Sequence, residues 1–162
     1  MTPESTEGES DGAAVRFPPP LVPVIALAIG VVTQAWLLPL KLPIEGAPRV
    51  GLAVLLLVVG AGLMAAAIGL FRSTGQDPKP WESTPEIIST GIYRYTRNPM
   101  YVSMGCLLAG FGVALGNGWV VLLVPVIWIV IYAIAIRHEE AYLEGKFGSV
   151  YLDYKNSVRR WL

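Results

Sequence analysis

Residues 99–136 read PMYVSMGCLLAGFGVALGNGWVVLLVPVIWIVIYAIAI. Two apolar runs flank Gly116-Asn117-Gly118, and neither run carries a charge. A three-residue connection can only return the chain on itself, so the runs predict a tight antiparallel helical hairpin. Each, 99–115 and 119–136, is near the lower limit of about 17 residues for crossing a hydrocarbon core. Two further apolar stretches, 21–38 and 50–71, precede them. Only 15% of the residues are charged, against about 25% in a soluble domain, and the mean hydropathy is +0.55. The expectation is an all-α integral membrane protein with about four transmembrane helices. Gly51, Gly60, Gly62 and Gly69 in the second stretch predict close helix packing there.

Outside the apolar stretches, residues 1–20 predict a disordered polar tail. Glu4, Glu7, Glu9 and Asp11 lie among the first 14 residues with no basic residue, unlike the positive start of a signal peptide. Residues 21–162 then form one membrane domain. Four crossings place residues 1–20, 72–98 and 137–162 on one face. That face holds ten of the twelve Lys and Arg residues, and only Lys41 and Arg49 lie on the other. The positive-inside rule assigns the richer face to the cytoplasm, with both termini. A net charge of zero without a basic block gives no reason to expect nucleic acid. One cysteine, Cys106, excludes an internal disulfide, and one histidine, His138, cannot build a zinc site alone, so no metal is expected.

The polar residues concentrate in two segments, 91–101 and 137–160. In the first, Asn98-Pro99 reads as the cap and first residue of the third span. The free N–H groups of a helix start also favour an anion, and Arg97 beside them could grip a carboxylate. Tyr93, Tyr95 and Tyr101 would suit an adenine ring at the interface, or simply form an aromatic belt. In the second, Arg137 could snorkel and His138 could be solvated. Glu139 and Glu140 are either solvated or turned inward onto a partner, for which Arg97 and a ribose diol both qualify. Tyr142, Phe147, Tyr151, Tyr154, Val158 and Trp161 recur near helical spacing after a break at Gly148. They predict an amphipathic helix that lies on the membrane or closes over a site.

The order Gly91-x-Tyr93-Arg94-x-x-Arg97-Asn98-Pro99-x-Tyr101, two apolar runs, Glu139-Glu140-x-x-Leu143 and Phe147-Gly148-x-x-Tyr151-x-x-Tyr154-x-x-x-Val158 resembles the isoprenylcysteine carboxyl methyltransferase family. It is also similar to the related phospholipid methyltransferases. The resemblance covers residues 72–162. It implies S-adenosylmethionine as methyl donor, a lipid or small lipophilic acceptor, and a bacterial inner-membrane location. Carried across by position, it implies a cofactor pocket of Arg97, Asn98, Pro99 and Tyr101, of Glu139 and Glu140, and of Tyr151, Tyr154 and Val158 on the closing helix. With Tyr93 from the aromatic wall, the site candidates are Tyr93, Arg97, Asn98, Pro99, Tyr101, Glu139, Glu140 and Tyr154, with Arg97 and Glu140 in catalytic roles. Asn98 stands where the family usually has histidine. Asparagine can hydrogen-bond but cannot exchange a proton near neutral pH, which argues against a general base there. Two other readings stay open on the residues alone: an NADPH-dependent membrane reductase and a non-enzymatic four-span protein.

Overall fold

The computed structural model describes residues 12–161. Its helices are α1 (Leu21–Trp36), α2 (Gly46–Ser73), α3 (Pro99–Ala114), α4 (Gly118–Ile131), α5 (Arg137–Phe147) and α6 (Ser149–Ser157). A 3-10 turn covers Gly91–Arg94, a π turn covers Tyr132–Ile136, and no strand occurs among the described residues. The protein is an all-α membrane protein. At 1.5 Å per residue, the 28 residues of α2 extend about 42 Å, beyond the roughly 30 Å of a hydrocarbon core. Val24, Ile29, Val54, Val58 and Ile129 are exposed on the helices, a surface suited to lipid.

The expected hairpin forms, with α3 packed along α4 and Asn117 capping α4 through the Val120 N–H. The helix of the fourth span outlasts its apolar run. Helix α4 continues through the π turn into α5, so one apolar-to-polar rod runs from Gly118 to Phe147. The short apolar helices are α1 and α3, with 16 residues each. Around this hairpin, α2 lies along α3 and α1 lies against α4. Close approach in the α2–α3 seam depends on one glycine from each helix. A Cβ on Gly60 would stand 2.8 Å from Leu107 Cγ, and one on Gly110 the same distance from Leu57 Cγ. The other glycines expected to serve this purpose, Gly51, Gly62 and Gly69, face open space.

The connections gather at two ends. At one, Gly118 N–H donates to Leu40 O at 2.8 Å and Asn117 Nδ2 donates to Gly30 O at 3.0 Å. At the other, the segment before α1, the α2–α3 connection and the C-terminal helices meet. Residues 12–20, expected to belong to a disordered tail, are ordered there. Ala13 N–H donates to Pro80 O at 3.0 Å, and Ala13 and Val15 are buried. Their small apolar side chains fit under the Pro78–Trp81 loop, which composition alone does not reveal. Residues 1–11 lie outside the described residues.

Candidate active site

The α2–α3 connection returns to the bundle at Gly91, whose φ of +57° is unstrained only for glycine. The following 3-10 turn seats Tyr93 against Phe71 of α2, ring centroids 5.9 Å apart and edge to face. The chain then meets its own C-terminus. Arg97 N–H donates to Arg159 O at 2.9 Å, and the Thr96 hydroxyl and Asn98 Nδ2 both donate to Arg160 O, at 3.2 and 3.0 Å. Asn98 was expected to cap α3 with its side chain. It does not, because that side chain is engaged by Arg160. The start of α3 therefore has Pro99 in its first turn and no side-chain cap.

Opposite stand the two glutamates. The π turn puts an extra residue into the last apolar turn before Arg137. One residue of helix is about 100° of rotation, so this turn resets which faces Glu139 and Glu140 occupy. Glu140 is buried and takes a two-point contact from Arg160, Nε to Oε1 at 2.8 Å and Nη2 to Oε2 at 2.9 Å. Arg97 Nη1 stands 3.2 Å from the same Oε1. Glu139 instead accepts a short hydrogen bond from the Tyr101 hydroxyl of α3. Both glutamates thus turn inward, onto different partners.

Helix α6 closes the arrangement. Gly148, at φ +53°, breaks it from α5, and Lys155 pairs with Glu144 across the break at 2.8 Å. Tyr151 is buried, and the Tyr154 hydroxyl donates to Tyr93 O at 2.9 Å. The C-terminus is anchored by Trp161, whose ring lies 5.6 Å from that of Trp128. Tyr151 and Tyr154 of this helix face the cleft.

These elements surround a cleft of about 130 Å³ that opens to solvent. Tyr93, Arg97, Asn98, Pro99, Tyr101, Glu139, Glu140 and Tyr154, all singled out from the sequence, line it together. So do Phe71, Gln76, Tyr142 and Tyr151, which were not among those eight. Tyr151 was visible in the helical periodicity. Gln76 carried no signal beyond being a polar residue in a Gly- and Pro-containing loop. The side chain of Arg97 is 9% exposed; its Nη1 is in the ion pair with Glu140, and its Nε has no partner among the described residues. A buried guanidinium donor without an acceptor is costly, and a ligand anion would satisfy it. Burial holds the Tyr93 and Tyr154 phenols well above their ordinary values, so both walls stay neutral.

Burial also pushes the Glu139 carboxyl up from 4.5 to about 7, against the lowering effect of the Tyr101 bond and with a further rise from Glu140. Within that window the folded protein keeps a proton that the unfolded chain has released. Stability should therefore fall as pH rises from about 4.5 through about 7, and level off above. The unfolding midpoint of the wild type should drop across this range, and that of Glu139→Gln should drop less. Parallel curves for the two proteins would contradict the shifted carboxyl.

A second, apolar cavity of about 440 Å³, partly open to the outside, adjoins the cleft. Val24 and Leu27 of α1, Met64 and Ile68 of α2, and Met104 and Leu108 of α3 line it. Pro78, Lys79, Pro80, Met100 and Tyr101 border both spaces.

Known proteins similar in sequence place the chain in a family. A family model described as phospholipid methyltransferase matches residues 48–150. An uncharacterized protein of Haemophilus influenzae is 44% identical over 63 residues, which is 39% of this chain and all of that protein. The protein-S-isoprenylcysteine O-methyltransferase of Schizosaccharomyces pombe is 35% identical over 72 residues, 44% of this chain and 30% of the yeast enzyme. The matched part is thus less than a third of the yeast enzyme's length.

Proposed function

The chain belongs to the phospholipid methyltransferase family, and from that premise we propose that it moves a methyl group from S-adenosylmethionine to a lipophilic acceptor at the cytoplasmic membrane face. The observation that carries the reading is the junction of a polar cleft with an apolar cavity at Tyr101. A methyl donor with a nucleoside and an amino acid suits the first space. An acceptor with a hydrocarbon tail suits the second, which the lipid-facing helices α1 and α2 flank.

The residues present fit such a donor. Arg97 has one buried donor without a partner, Nε, for a carboxylate, and the uncapped start of α3 adds favourable N–H groups. Tyr93, Tyr151 and Tyr154 supply aromatic surface for an adenine ring. Once bound, the sulfonium supplies an electrophilic methyl group, the acceptor's lone pair forming the new bond while sulfur keeps the old bonding pair. The protein's part is to align the two partners and keep water from the junction. No step requires a proton at Asn98. An acceptor that arrives as an ammonium would have to lose a proton, and the Glu139 carboxylate at the junction would accept it. A carboxylate or thiolate acceptor would need no base.

In the structure, Glu140 supports this site more directly as a clamp than as a group on the ribose. It draws Arg97 and Arg160 together, and through Arg160 it holds the C-terminal segment over the cleft.

Calorimetric titration of the detergent-purified chain tests the reading. S-adenosylhomocysteine should bind saturably and NADPH should not. Binding of NADPH alone would replace this proposal with the reductase reading. Binding of neither to folded protein would leave a likeness of fold only.

A further inference from the structure

Gln76 is buried at 6% exposure and lines the polar cleft, yet its Oε1 has no hydrogen-bond partner among the described residues. The amide cannot simply be turned over. Its Nε2 donates to Thr74 Oγ1 at 3.0 Å, and the Thr74 hydroxyl directs its own proton to Phe71 O at 3.0 Å. That hydroxyl can therefore only accept from Gln76, which leaves Oε1 as the free end. The Gln76 backbone is fixed too, its N–H donating to Phe71 O at 2.9 Å. The neighbouring Asp77 carboxylate is already taken by Lys79, at 2.9 Å. Gln76 is thus a held acceptor lacking a donor.

The same cleft holds the converse. Arg97 presents a buried donor, Nε, lacking an acceptor, while its Nη1 is paired with Glu140. The two sides are joined by packing, since Phe71, bonded to Gln76, also carries the ring against which Tyr93 sits at the start of the turn leading to Arg97. An unmatched acceptor and an unmatched donor in one cleft complement a zwitterion. The α-carboxylate would satisfy Arg97 and the α-ammonium would satisfy Gln76.

We infer that Gln76 binds the α-ammonium group of the methyl donor's amino-acid end, opposite Arg97 on its carboxylate. The assignment rests on the cofactor reading above. It makes the α2–α3 connection part of the binding site and orients the donor, amino acid toward Gln76 and Arg97.

Two ligands and two variants test it. S-adenosylhomocysteine carries the amino-acid end, and 5′-methylthioadenosine lacks it. Gln76→Met keeps volume and removes the acceptor. It should weaken S-adenosylhomocysteine binding about tenfold or more, as for a lost hydrogen bond to a charged group. Its affinity for 5′-methylthioadenosine should be unchanged, which also shows that the variant is folded. Gln76→Glu keeps an acceptor and adds a charge opposite the ammonium, so it should bind S-adenosylhomocysteine at least as well as the wild type. Equal loss of both ligands in folded Gln76→Met would move Gln76 to the nucleoside end and overturn the assignment. So would unchanged binding of both, or a tenfold loss of S-adenosylhomocysteine in Gln76→Glu with 5′-methylthioadenosine retained. Failure of the wild type itself to bind S-adenosylhomocysteine would instead remove the cofactor reading, and this assignment with it.

Discussion

Glu140→Gln should cost the protein both stability and ligand affinity, with the larger part of the loss at the buried Arg97 contact. Glu140 is the shared acceptor of Arg97 and Arg160. The Arg97–Glu140 contact is buried on both sides, with side-chain exposures of 9% and 11%. Removing one partner of a buried pair leaves an uncompensated charge and costs on the order of 3 kcal/mol. Arg160 is 34% exposed, so water offsets part of its loss and its contribution is smaller. Arg160 O also accepts from Thr96 and Asn98, so loosening Arg160 disturbs the start of α3 as well. The expected result is a lowered unfolding midpoint and at least a tenfold weaker S-adenosylhomocysteine titration. Protease digestion should release the residues after Ser157 faster than in the wild type. Wild-type stability and affinity in Glu140→Gln would show that the clamp is dispensable.

Arg97→Lys separates charge from geometry. Lysine keeps the positive charge beside Glu140 but has one terminal nitrogen, whereas guanidinium presents a planar fork. In this protein Arg97 meets Glu140 through Nη1 and keeps Nε without a partner, and one lysine Nζ cannot occupy both positions. The backbone contact from Arg97 N–H to Arg159 O does not depend on the side chain and should persist. The variant should therefore stay near wild-type stability while losing S-adenosylhomocysteine affinity about tenfold to a hundredfold, the range for charge-assisted hydrogen bonds. Unchanged affinity would mean that Arg97 serves only Glu140 and the positive-inside balance. This pattern, affinity lost with stability kept, is distinct from that of Glu140→Gln, where both fall.

The two variants also distinguish what the glutamate pair does. Glu139 and Glu140 are adjacent and chemically alike, and the sequence offers no means of separating them. Their environments do. Glu140 faces two guanidiniums, while Glu139 faces a tyrosine hydroxyl at the border of the apolar cavity. A carboxylate paired with cations is a structural tie, and one with only a neutral partner keeps chemistry available.

The sequence by itself determined the helices, the hairpin and the convergence of two motif segments at one end. Those follow from local rules: long uncharged apolar runs must be helical in a bilayer because every backbone group needs an internal partner. The hairpin follows from a connection too short for anything else, and the gathering of the 91–101 and 137–160 segments from the parity of the crossings. Periodicity also brought Tyr151 and Tyr154 to one face of the closing helix. Only the tertiary structure decided the rest. The π turn at Tyr132–Ile136, the partner of each glutamate and the diversion of Asn98 from capping to Arg160 all depend on contacts between residues twenty or more apart or on backbone register. The same holds for Ala13 under Pro80 and for Gln76 in the cleft wall. A polar side chain in a short loop has no periodicity to betray its direction. Where it points is set by the bodies packed around it, and those exist only once the chain has folded.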